Sequence, residues 1–183
     1  MRGGVSKTLA IVLAGFFALS VLSPVHADDK TQIEAHTKRA LKWMRGTNKH
    51  TAKILKNSAG VLVFGDMVKM GFGLGGEFGE GALVVDGKIV GYYAIAGKTF
   101  GHDIKEGYKA EVIVFKTPKT LKAFRDSRSW KIGENGVVPV MTSATNPGIV
   151  IGPAEPIVGL IFSEKNLITD LELKGNKITR ISR

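Results

Sequence analysis

Cysteine is missing altogether from the 183 residues, proline is scarce at six, and acids are outnumbered by bases, 16 against 26. Without thiols there can be no disulfides, even in an oxidising compartment, and no thioether-linked lipid. The core must hold by packing alone, and any membrane attachment must be non-covalent and reversible. The shortage of acids gives a formal charge of +10, which favours anionic partners. No serine stands in a G-x-S-x-G setting, and no internal repeat, low-complexity tract or linker interrupts the chain.

Long apolar runs are also few. Leu9 to Leu22 is uncharged, follows Arg2 and Lys7, and leads into Val25-His26-Ala27, the pattern of a signal peptide cleaved after Ala27. A spanning helix needs about 20 apolar residues, and this run is shorter. Removing residues 1–27, with two bases and no acid, leaves 156 residues carrying +8 (24 bases, 16 acids). That suits one domain, 28–183. The expected protein is exported, periplasmic or secreted in a bacterium, and peripheral to the membrane rather than a lipoprotein.

Residues 28–58 read as an N-terminal amphipathic helical segment. Ile33, Thr37, Leu41, Met44, Asn48, Ala52 and Leu55 recur at steps of four and three, as one helical face requires. Gly46, followed by Thr47 and Asn48, is a weak point at which one helix can end and a second begin.

From Gly60 the punctuation becomes Gly, Pro and Asn between short Val, Ile and Leu runs. Strands are predicted at Val61 to Phe64, Gly81 to Val85, Lys88 to Ile95, Ala110 to Phe115, Val137 to Met141, Ile149 to Ile151, Pro156 to Phe162, Leu167 to Lys174 and Lys177 to Ser182. Asp86-Gly87 is the strongest hairpin signal, Gly175-Asn176 a second turn, and Thr117-Pro118 the opening of a short helix. The fold class is α+β: one helix or two packed on a mainly antiparallel, glycine-bent sheet or barrel-like sandwich, with residues 59–183 as its β-rich part.

Catalytic and metal chemistry find little support. Gly71, Gly73 and Gly76 have dinucleotide-loop spacing but lead into glycine-broken sheet rather than a helix, so a bend is the better reading. His36 and His50 would lie about 21 Å apart on a continuous helix and cannot share an ion. With His102 they read as surface histidines. Glu77 with Glu80, and Asp103 with Glu106, could be imagined as acid and base, but solvated carboxylates are the expectation. No enzyme activity, cofactor or metal is predicted.

The cations are more informative. Lys38, Lys42, Arg45, Lys49, Lys53 and Lys56 follow the helical period and sit one position after residues of the apolar face, flanking it by about 100°. On an anionic bilayer such lysines reach phosphates while Trp43 sits at headgroup depth. The competing reading is that Leu41, Met44 and Leu55 pack on the sheet and the lysines face water. Nucleic acid is not expected, because Trp43 is the only aromatic available for stacking in this segment.

Three blocks, AGVLVFGDMVKMGFGLGGEFGEGALV (Ala59 to Val84), YYAIAGKTFG (Tyr92 to Gly101) and FSEKNLITDLELKGNKITRI (Phe162 to Ile181), resemble the SYLF family of lipid-binding domains. The chain departs from the family pattern at His102 to Lys105, at Lys131 to Gly136 and at Asn166. The resemblance implies binding of anionic phospholipid or phosphoinositide-like headgroups, with an N-terminal amphipathic helix at the contact. By position that helix is Asp28 to Ser58, so the expected lipid-binding residues are Lys38, Lys42, Trp43, Arg45, Lys49, Lys53 and Lys56. Actin binding, known in yeast relatives, does not suit an exported bacterial protein. Two alternatives stay open: a structural or protein-interaction module of the envelope without lipid contact, and a hydrolase or carrier for one extracted lipid, which needs an enclosed apolar pocket.

Overall fold

Runs such as GVLVF and AEVIVF put apolar side chains on both faces of a sheet, and both faces then have to be covered. A computed structural model, which describes residues 28–47, 49–70, 76–98, 109–140, 155–163 and 173–183, shows how this is done. The elements are α1 (Lys30–Thr47), α2 (Lys49–Lys56), β1 (Gly60–Met70), β2 (Gly76–Val85), β3 (Lys88–Lys98), β4 (Lys109–Phe115), α3 (Pro118–Asp126), β5 (Ser129–Lys131), β6 (Ile157–Ser163) and β7 (Lys177–Ile181). The seven strands make one antiparallel sheet in the order β5-β7-β3-β2-β1-β4-β6, curled into a half-barrel. The fold is α+β with a barrel-like sheet, as expected.

The curl has identifiable causes. A bulge interrupts the β1–β2 register between Phe64 and Met67, and bulges bend and twist the strand that carries them. Glycines remove side chains where backbones must close up. A β-carbon on Gly81 would collide with the Val63 carbonyl, and one on Gly65 would stand 2.5 Å from the carbonyl carbon and oxygen of His36 in α1. Gly76, Gly79 and Gly81 all lie within β2, so Gly76 opens a strand and not a helix; Gly71 and Gly73 lie outside the described residues.

Curling divides the apolar residues into two cores. On the concave side Leu62, Phe64, Leu83, Ile113 and Phe115 meet Leu121 and Phe124 of α3. There Phe124 stacks obliquely on Phe115 at 4.8 Å and on Tyr93 at 5.0 Å, and meets Trp130 edge-on at 5.6 Å. These rings fill the part of the interior that lies under α3. On the convex side Val61, Val63, Val112, Val114 and Leu160 meet α1 and α2.

The predicted turns form. Asp86 (φ 49°) and Gly87 (φ 75°) both take the left-handed conformation that a two-residue hairpin requires. Thr117 caps α3, its hydroxyl accepting from the Thr120 amide at 3.2 Å. Other expectations need correction. Of the predicted strand Val137 to Met141, the described residues 137–140 form no strand and only Val140 makes an isolated bridge, to Gly159; Met141 lies outside the described residues. Ile149 to Ile151 and residues 167–172 lie outside the described residues, and Leu173 and Lys174 belong to the turn before β7. β5 was not anticipated, because three residues are too few for a periodic signal. Glu77 and Glu80 are not solvated: they are 4% and 5% exposed, and an odd separation along β2 puts them on opposite faces.

Two glycine substitutions separate close approach from ordinary helix propensity. Gly65→Ala forces α1 away from β1 and should lower stability by about 1–3 kcal/mol. Gly46→Ala, with nothing within 4 Å of the added carbon, should raise it by about 0.5–1 kcal/mol. Urea midpoints of the two variants against the parent measure both.

Candidate functional site

The basic helices are placed by local caps and by one packed face. At the start of α1 the Asp29 carboxylate accepts from the Gln32 amide at 2.8 Å, and the Gln32 side chain accepts from the Asp29 amide at 2.9 Å. This reciprocal capping box satisfies two of the donors that a helix leaves free at its start. Ile33, Thr37, Ala40, Leu41 and Met44 are buried against the convex face of the sheet. The predicted stripe is correct through Met44, with Ala40 added. Beyond it Thr51 is buried while Ala52 and Leu55 are half-buried, and Asn48 lies outside the described residues.

The far side of α1 is tied to β3. Tyr92 donates its hydroxyl to Glu34 Oε1 at 2.7 Å, and the Lys30 ammonium lies 5.9 Å from the centre of the Tyr92 ring. Burial, then the hydrogen bond to Glu34 and its negative charge, push the Tyr92 phenol up to about 12. His36 is not a free surface histidine: its Nδ1 lies 3.4 Å from Asp28 and 4.0 Å from Asp66. His50 has no described side chain, and His102, Asp103 and Glu106 lie outside the described residues. Among the described residues no three His, Asp or Glu side chains are arranged to hold a metal ion.

All six predicted cations, Lys38, Lys42, Arg45, Lys49, Lys53 and Lys56, are exposed. Lys38 lies 3.8 Å from Glu34 one turn earlier, an exposed pair of little energetic consequence. Among the described residues the other five make no ion pair. Trp43 is half-buried and stacked on Phe162 of β6, with ring centres 4.7 Å apart and planes 11° from parallel. Its ring therefore belongs to the seam between helix and sheet.

One continuous stripe does not form. α1 ends at Thr47 and α2 starts at Lys49, so the cations divide into two triplets. Arg45 and Lys56 would stand about 16 Å apart along one straight helix. Instead both line a cleft of about 160 Å³ whose walls include Leu41, Leu55, Val84 and the Asp86-Gly87 turn. The break gathers positive charge at the place where the two helices meet the β2–β3 hairpin.

Comparison with protein-family models and with curated proteins finds no match for the chain.

The cap makes a local prediction. Asp29→Ala leaves the Gln32 amide without its acceptor and should cost about 1 kcal/mol. Amide exchange at residues 30–33 should speed up several-fold while exchange in β1 and β4 stays near the parent rate.

Proposed function

We propose that the protein is an exported, non-enzymatic, SYLF-like lipid-binding protein that docks on anionic phospholipid through the outer faces of α1 and α2. The observation that carries this reading is the exposure of Lys42, Arg45, Lys49, Lys53 and Lys56 without an acidic partner among the described residues. Charges in such positions contribute almost nothing to folding, so their concentration on two adjacent helices calls for an external anion. The resemblance of Ala59 to Ile181 to SYLF domains points to the same chemistry.

The packing favours one mode of contact. Ile33, Ala40, Leu41 and Met44 are already buried on the sheet and are not available to enter a bilayer unless α1 leaves its place. No helix among the described residues is long and apolar enough to span one. Binding is therefore an electrostatic docking of a folded surface, with Lys38, Lys42, Arg45, Lys49, Lys53 and Lys56 at headgroup phosphates and the half-buried Trp43 beside them. Each cation near an anionic surface contributes about 1 kcal/mol, and the attraction dies off within a Debye length of about 8 Å at physiological salt.

Co-sedimentation with vesicles tests this. The protein should pellet with phosphatidylglycerol-containing vesicles, remain in solution with phosphatidylcholine alone, and be released from the former in 1 M salt. Single neutralisation at Lys42 or Lys49 should weaken binding about fivefold, and reversal of both by at least about 25-fold, with unchanged thermal midpoints. Equal retention on both kinds of vesicle, or full retention after all six cations are replaced by glutamine, overturns the reading and leaves the envelope protein-interaction module in its place.

A further inference from the structure

The concave side of the half-barrel is apolar at one end of β4 and charged at the other. Alternation along KAEVIVF puts Lys109 and Glu111 on the same face as Ile113 and Phe115. β1 lies between β4 and β2, so Lys109 reaches across a whole strand to donate to Glu77 on β2. Its ammonium is also 2.9 Å from Glu111 Oε1. Lys109, Glu77 and Glu111 are 4%, 4% and 1% exposed, and Glu111 Oε2 is buried with no hydrogen-bond partner among the described residues.

Counted over the described side chains, two carboxylates against one ammonium leave one negative charge too many. Surfaces tolerate such an excess, whereas an interior does not: a buried charge without a counter-charge is among the most destabilising features a fold can contain. Among the described side chains the groups around Glu111 offer no second cation. Its register neighbours are Phe64 on β1 and Ile161 on β6, neither of which titrates. Glu77 faces Gly97 on β3 and, by backbone register, Lys69 on β1.

We propose that Glu77, Lys109 and Glu111 form a buried proton-binding site, in which one proton held between the two carboxylates compensates the excess charge and its release to solvent weakens the clamp across β1. Burial pushes the Glu111 carboxyl up to about 7, with the Lys109 ammonium opposing the shift and the Glu77 carboxylate adding to it. A carboxyl that binds its proton more tightly in the folded chain than in the unfolded one stabilises the fold most at low pH. The contribution is complete below the ordinary value of about 4.5 and is lost as pH rises through about 7. Ion-paired surface carboxylates behave in the opposite way, so the sign separates this site from them. Because the excess charge belongs to the pair, replacing either carboxylate by its amide should remove the effect.

A carbon-13 titration of the glutamate side chains in the folded protein tests the site directly. One δ-carbon, assigned to Glu111 by through-bond correlation, should titrate near pH 7. In parallel, the urea midpoint of the parent should fall between pH 5 and pH 8, and Glu111→Gln and Glu77→Gln should each flatten that fall. A Glu111 δ-carbon titrating at or below about pH 5 overturns the proposal, as it would if Lys69 supplied the missing positive charge. So does a parental pH slope that survives in both amide variants. Should either variant not fold, the parental titration decides alone.

Discussion

A strand with apolar residues on both faces can be central to a sheet only if something lies against each side of it, and β1 and β4 are such strands. Curvature answers for both at once: it gathers Leu62, Phe64, Ile113 and Phe115 into a concave core that α3 closes, and it leaves Val61, Val63, Val112 and Val114 on a convex surface that a single helix can follow. The curl depends on very little covalent material, a bulge after Phe64 and glycines at 65, 79 and 81 where any side chain would meet a neighbouring strand or helix. The contact between Gly65 and the His36 backbone brings the basic helix directly against the sheet.

That contact changes what the amphipathic segment can do. An isolated helix with this pattern would lie in a bilayer on its apolar face, with lysines reaching outward from the rim. Here the apolar face is already used, and the aromatic side chain best suited to the headgroup region, Trp43, is stacked on Phe162. What remains for an external partner is charge without insertion. Under the proposed function such a surface would bind reversibly and respond steeply to salt and to the anionic lipid fraction, unlike a lipid-anchored or membrane-spanning protein.

Local chemistry was legible in the sequence and long-range pairing was not. Asp86-Gly87, Thr117-Pro118 and the Ile33 to Met44 stripe are settled by neighbouring residues, and each formed as expected. The capping box Asp29-x-x-Gln32 was equally local and could have been recognised from its spacing. Glu77 and Glu80 were misjudged because their burial depends on partners far along the chain, Lys109 and Arg183 respectively. One signal did exist for the interior cluster: Lys109 and Glu111 share a period-two face with Ile113 and Phe115, which is unusual for a solvent-facing pair. The gathering of Arg45 and Lys56 could not be read at all, since it depends on the angle at which α2 leaves α1.

Lysine therefore serves two opposite purposes in this molecule, and burial alone separates them. Lys42 is exposed, its charge is screened, and replacing it should leave the fold nearly unchanged while altering attraction to an anionic surface. Lys109 is enclosed and held between two carboxylates. Removing its charge would leave a buried carboxylate uncompensated, a loss of about 3–5 kcal/mol for a broken buried pair and a large share of a domain's total stability. The two sets also lie on opposite faces of the same sheet, the cations over Val112 and Val114 and the buried cluster beside Ile113. Changes at the outer set should move binding and spare stability, and changes at the inner set should move stability and its pH dependence, so surface docking and interior protonation can be judged separately.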